Sequence, residues 1–149
     1  MMDKQLFHIA QVNVARYIAP PGDPILDDFV AQIEAINALA ETSPGFVWRL
    51  KSEYDNDALS LRPFDDERIL VNMSVWKDVD SLKHYVYKTA HAAVMRDRKK
   101  WFERMQEPSM AIWYIPKGHI PTIADMKIRL AHIQQQGVSE FAFDFKNLF

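Results

Sequence analysis

The order in which two kinds of apolar periodicity alternate along the chain limits its fold more than any single motif. A strand is expected at Leu6–Tyr17, rich in Ile and Val with partial alternation, and further strands at Phe46–Ser52, Ile69–Lys77 and Met110–Ile115. Between the first two, Ala19-Pro20-Pro21-Gly22 makes a turn and Asp23 is placed to cap a helix with Pro24 at its first position. Leu26, Phe29, Val30, Ile33, Ile36 and Leu39 then follow at helical intervals until Ser43-Pro44-Gly45. Between the third and fourth strands, Asp78 caps a pattern that reads as one helix, with a basic end at Lys99, Lys100 and Arg104. Glu107-Pro108-Ser109 breaks it. A polar loop over Glu53–Arg68 separates strands two and three. After the fourth strand, Thr122 with Asp125 resembles a capping box, and a last helix runs through Met126, Leu130 and Ile133 to Gly137. The tail from Phe141 to Phe149 alternates aromatics, as a short strand or an arm laid on a partner would.

This β-α-β-β-α-β order with an extra C-terminal helix is an α+β, ferredoxin-like arrangement, expected to form one domain over residues 1–149. The two main helices cover one sheet face. Both faces of strands one and three carry apolar residues, so a bare second face asks for a second sheet. The simplest source is an identical subunit, which gives a homodimer and a dimeric α/β barrel.

Composition removes several classes of function. A formal net charge of -2 leaves no electrostatic footprint for nucleic acid or an anionic membrane. The chain has no cysteine, which excludes disulfides, thiolate metal sites and a thiol nucleophile. No apolar run approaches the roughly 20 residues of a membrane helix. The start, MMDKQLFHIAQ, reads as a first strand and not as a signal peptide, so a cytoplasmic protein is expected. Neither a G-x-S-x-G elbow nor a phosphate-cradling glycine loop is present.

The chemistry-bearing residues gather in two places. On strand three Leu70, Asn72, Ser74 and Trp76 share a face, and on strand one Phe7, Ile9, Gln11 and Asn13 do. If the two polar sides coincide, Gln11, Asn13, Asn72, Ser74 and Trp76 form one patch in mid-sheet. It either lines a ligand pocket or satisfies itself with internal hydrogen bonds. On the second helix, Tyr87, His91, Met95 (or Val94), Arg98 and Trp101–Phe102 are expected along one side. His91 suits a general base or a haem-iron ligand, or it is a half-buried histidine bonded to a backbone carbonyl. His84 lies two turns away, too far to share a metal, and no other histidine has ligand spacing. Arg16 and Arg49 suit a carboxylate or phosphate clamp, or lie as surface arginines over Trp48 or Tyr17. Trp113 stands at a strand end that turns over a cavity mouth, or in the core. The run Arg96–Lys100 reads as a solvated helix end. The candidate ligand contacts are therefore Arg16, Trp48, Arg49, Asn72, Trp76, Tyr87, Arg98 and Trp113.

Two resemblances follow from particular segments. The pieces Asn13-Val14-Ala15-Arg16, Ser43-Pro44-Gly45-Phe46-Val47-Trp48-Arg49, Asn72-Met73-Ser74-Val75-Trp76, Tyr87 with His91, Arg98 with Trp101-Phe102, and Pro116-Lys117-Gly118-His119-Ile120-Pro121-Thr122 are similar to an uncharacterised domain-of-unknown-function family of bacterial dimeric α/β-barrel proteins. More loosely, Asn13 and the run Lys88-Thr89-Ala90-His91 resemble the antibiotic-biosynthesis-monooxygenase type of barrel, which includes haem-degrading enzymes. That resemblance implies catalytic roles for His91, Asn13 and Tyr85. Tyr85 stands where those enzymes carry a tryptophan. It also makes haem a candidate cofactor beside no cofactor at all.

Three functions stay open at this level. One is a small-molecule oxygenase or isomerase with His91 as base or iron ligand. The second is a dimeric carrier that holds a small apolar ligand, haem included, without transforming it. The third is an assembly protein that uses its C-terminal aromatics to bind another chain.

Overall fold

The computed structural model describes residues 3–53 and 55–149, so Tyr54 of the expected polar loop lies outside the described residues. The strands are β1 (Phe7–Arg16), β2 (Phe46–Arg49), β3 (Ile69–Trp76) and β4 (Met110–Pro116), and the helices α1 (Asp27–Thr42), α2 (Val79–Lys88), α3 (His91–Arg96) and α4 (Ile123–Gln136). One antiparallel sheet has the order β2-β3-β1-β4, which is the ferredoxin-like topology. No described helix is long and apolar enough to cross a membrane.

Local chemistry sets the element ends where the sequence places them. Asp23 accepts from the backbone N–H of Ile25 and opens a short 3-10 turn that leads into α1. Asp78 accepts from Ser81 N–H at the start of α2, and its carboxyl lies below the usual range, chiefly through its hydrogen bond with Ser81. Thr122 and Asp125 form the complete capping box of α4. Gly45 has a φ of 83°, and a Cβ there would come within 2.1 Å of Ser81 Oγ. Only glycine allows the α1–β2 turn to lie this close to the first turn of α2.

The helix expected after β3 is broken. Thr89 adopts an extended backbone, its hydroxyl donates to the carbonyl of Tyr85, and its Oγ1 accepts from His91 N–H. This side-chain competition for backbone groups ends α2 and starts α3 without glycine or proline. Tyr87, His91, Arg98 and Trp101 therefore do not line one helix side. Trp101 is buried beside Tyr17, Leu26 and Phe29, and Phe102 bridges to Tyr17.

The second sheet face is not bare. Ala10, Val12, Val14, Val71, Met73, Val75, Ala111, Trp113 and Ile115 pack against Met126, Leu130 and Ile133 of α4, with Leu61 and Phe64 of the polar loop beside them. The uncovered face that argued for a twofold-related sheet is thus filled by the chain's own last helix. The aromatic tail likewise packs on its own chain, since Phe143 and Ile112 exchange backbone hydrogen bonds at 2.7 and 2.9 Å along the outer edge of β4.

Candidate functional site

The polar sides of β1 and β3 coincide. Gln11 stands opposite Ser74 and Asn13 opposite Asn72 in the strand register. Gln11 Nε2 donates both its hydrogens, to Asn72 Oδ1 and to Ser74 Oγ, each at 2.8 Å. Trp76 Nε1 also donates to Ser74 Oγ at 2.8 Å. With Asn72 Oδ1 held by Gln11, the Asn72 amide turns its N–H₂ group away from that bond. With two donors on its oxygen, Ser74 keeps its own O–H to give. Asn72 and Asn13 are exposed, and both line a cavity of about 890 Å³ between this sheet face, α1 and the α2–α3 segment. The patch therefore contains internal hydrogen bonds and donors left over for a ligand.

The opposite wall carries His91. Its ring nitrogen Nδ1 lies 3.3 Å from the carbonyl oxygen of Val86, which can only accept, so the neutral ring holds its proton on Nδ1 and its lone pair on Nε2. Burial lowers the His91 pKa, and the Val86 hydrogen bond opposes this more weakly. At neutral pH the ring is an unprotonated base on the wall of this cavity. It packs 4.9 Å from the ring of Tyr85, which stacks on Trp76 at 5.0 Å. The Tyr85 hydroxyl donates to Ile36 O of α1 at 3.2 Å, and burial raises its pKa. The phenol of Tyr85 thus ties α2 to α1 and holds the His91 ring, and its proton is already committed.

Arg49, at the end of β2, is 8% exposed and lines the cavity. Its Nε and Nη2 both reach Glu41 of α1, at 2.9 and 2.8 Å, and Nη2 donates to Asn56 Oδ1 at 3.0 Å. Nη1 is buried with no acceptor among the described residues. Such a donor costs about 1–3 kcal/mol until an acceptor reaches it.

The cavity therefore brings together Asn13, Arg49, Asn72, Tyr85, Tyr87, His91 and Arg98 from the sequence expectations. Tyr87 stands at the rim against Phe145 of the tail, with ring centroids 5.4 Å apart. Four expected contacts lie elsewhere. Arg16 is held by Asp66 at 2.7 Å and Glu103 at 2.8 Å, so its charge is spent on a surface cluster. Trp76 is fully buried between Phe46 and Tyr85, where it supports the site from beneath. Trp48 and Trp113 belong to the face covered by α4, because they pair in register with Val75 and Ala10 and share their side of the sheet. Gln32 and Asn37 of α1 add to the polar lining. Helical spacing places them on α1, but no pattern in the sequence says that this part of α1 faces a cavity.

Among the described residues no group of three or more His, Cys, Asp or Glu could hold a metal ion. His91 is oriented as a ligating histidine would be, with its second nitrogen on a carbonyl. A haem bound here would be held by His91 through Nε2 and would supply oxygen activation.

Comparison with known proteins agrees with this architecture. The chain belongs to the family described as Domain of unknown function (DUF3291), whose model matches residues 8–149. No curated protein matches it. Among solved structures, a conserved protein from Methanosarcina mazei Go1 has a TM-score of 0.51 at 12% identity, over 76% of this chain and 96% of that one, a likeness of fold. SnoaB from Streptomyces nogalater, a cofactor-independent oxygenase, has a TM-score of 0.48 at 15% identity, over 78% and 99% of the two chains. A Nitrosomonas europaea protein, provisionally assigned as an antibiotic biosynthesis monooxygenase, has a TM-score of 0.48 at 16% identity, over 80% and 97%.

Proposed function

We propose that this DUF3291-family chain is a small-molecule enzyme whose chemistry begins with proton abstraction next to a substrate carbonyl. The observation that carries this reading is the pairing of an unprotonated His91 Nε2 with unspent amide donors of Asn72 and Asn13 on one cavity. His91 takes the proton onto Nε2 while Nδ1–H remains on Val86 O. The negative charge that develops on the substrate oxygen meets the Asn72 N–H₂, oriented in advance by Gln11, and the Asn13 amide beside it. Ile33 and Ile36 of α1 and Val94 and Met95 of α3 give the cavity apolar walls. An isomerase returns the proton to a different carbon. A monooxygenase-like enzyme instead delivers the same enolate to dioxygen, and both share the first step.

The test is solvent deuterium incorporation, followed by NMR, across a panel of enolisable carbonyl compounds in heavy water. The wild type should label at least one compound, and His91→Gln should label it about 100-fold or more slowly, within the usual range for a general base. A compound turned over equally well by His91→Gln would refute the assignment. Saturable binding with neither exchange nor product would favour a non-catalytic binding protein.

A further inference from the structure

Charge around the cavity is unequal in a way that the whole chain is not. The sequence holds 18 Lys and Arg against 20 Asp and Glu. The cavity lining holds Arg49, Arg98, Lys99, Arg104 and Lys146 against Asp57 and Glu103. Pairing leaves that excess intact. Glu103 is engaged by Arg16, and Arg49 by Glu41. Arg98, Lys99, Arg104 and Lys146 have no carboxylate within ion-pair distance among the described residues.

A basic run after a helix is ordinarily just a solvated end favoured by the dipole. That account covers Arg98 and Lys99. It does not cover Arg104, which lies beyond the helical turns, or Lys146, which the C-terminal tail brings to the same cavity. Phe29, Ile33, Ile36 and Met95 supply apolar walls, and Arg49 adds a buried nitrogen without an acceptor among the described residues. A cleft with low-dielectric walls and one sign of charge concentrates the opposite ion, and guanidinium groups recognise carboxylates with two parallel hydrogen bonds.

We propose that the cavity takes an anionic small molecule with an apolar body, its carboxylate held by Arg98, Arg104 and Lys146. The apolar part then extends between α1 and the sheet towards the amides of Asn13 and Asn72. This rests on the reading of the cavity as a substrate site, but not on His91 being a base.

The test uses two dyes with one ring system, anilinonaphthalene sulfonate and uncharged phenylnaphthylamine, titrated by fluorescence. The sulfonate stands in for the carboxylate. The wild type should bind the sulfonate about tenfold or more tightly at low salt, and the gap should close in about 1 M salt. The surface variant R98Q/R104Q/K146Q should lose the preference while its affinity for the neutral dye is unchanged. Ile33→Trp, or Met95→Trp where the first does not fold, should displace both dyes by filling the cavity. Equal affinities, a preference that survives the triple variant, or sulfonate binding that survives a folded plug variant would each overturn the proposal. The outcomes are separable from proton abstraction. A His91→Gln protein that loses exchange should keep the sulfonate preference, and a failed charge test leaves the base in place with a neutral substrate.

Discussion

On the side of the sheet covered by α4, β1 and β3 present Ala10, Val12 and Val14 beside Val71, Met73 and Val75, all buried. One residue along on the same strands, facing α1 and α2, stand Ile9, Gln11 and Asn13 beside Leu70, Asn72, Ser74 and Trp76. The backbone ladder is shared, so the difference lies wholly in side chains. The α4 face is closed by Trp113, by three apolar residues of α4, and by Arg129, whose guanidinium lies 3.8 Å from the Phe141 ring centroid. The other face leaves amide donors open and a buried guanidinium nitrogen without a partner among the described residues. A sheet optimised only for stability would not keep those groups, since local departures of this kind cluster where function requires them. One face carries the core, and the other carries the proposed ligand site.

The largest effect is expected on the α4 face. Trp113→Ala should cost about 3–5 kcal/mol in denaturant unfolding, the range for truncating a buried aromatic. A loss below about 1 kcal/mol would mean that this face is not the principal core. On the cavity face, Tyr85→Phe removes one hydrogen bond to Ile36 O and should cost about 0.5–1.5 kcal/mol. Catalysis should survive in Tyr85→Phe, because the phenol proton is already committed. Abolished turnover with intact stability would restore Tyr85 as an acid or base.

Protonation separates the faces more finely. The folded pKa of His91 is lowered by burial, so the unfolded chain binds the proton more readily than the fold does. The contribution of His91 should be fully favourable above the unfolded value of about 6.5 and be lost as the pH falls through it to the folded pKa. Turnover should fall over the same acid limb as Nε2 becomes protonated. His8, also lowered by burial and then by Lys117, titrates in the same direction, so the comparison must be made between wild type and His91→Gln. An identical pH slope in both proteins would place the effect elsewhere. Smallest of all, Asn13→Ala should change stability by less than about 0.5 kcal/mol, as at other exposed positions, while weakening ligand binding.

Much of the fold could be read from local chemistry. Asp78, the Thr122–Asp125 pair and Gly137 mark helix ends by mechanisms that need no tertiary information. The period of two placed Asn72 and Ser74 on one side of β3, and antiparallel pairing joined them to Gln11 and Asn13. The break at Thr89 was hidden because no glycine or proline announces it. The threonine simply gives its hydroxyl to the Tyr85 carbonyl. Trp113 stayed open between a cavity mouth and the core because its side depends on the long-range register that sets it opposite Ala10. The packing of α4 against the apolar face is a tertiary choice that amphipathicity permits without naming the surface it covers. The commitment of Arg16 to Asp66 and Glu103, and the freedom of Arg49 Nη1, depend on contacts between segments far apart in sequence.

The division of labour between the two faces is tested most directly by one paired determination on the double variant N13L/N72L, which makes the cavity face apolar at two residues that stand opposite each other. Unfolding free energy and affinity for anilinonaphthalene sulfonate would be measured on the same sample. A ligand-binding face predicts weakened dye binding with stability lowered by no more than about 1–3 kcal/mol, because Asn72→Leu takes one acceptor from the buried Gln11 amide while Asn13 has no side-chain partner to lose among the described residues. Stability lower by about 3 kcal/mol or more with dye affinity unchanged would show that the amides serve the core, and would contradict the account.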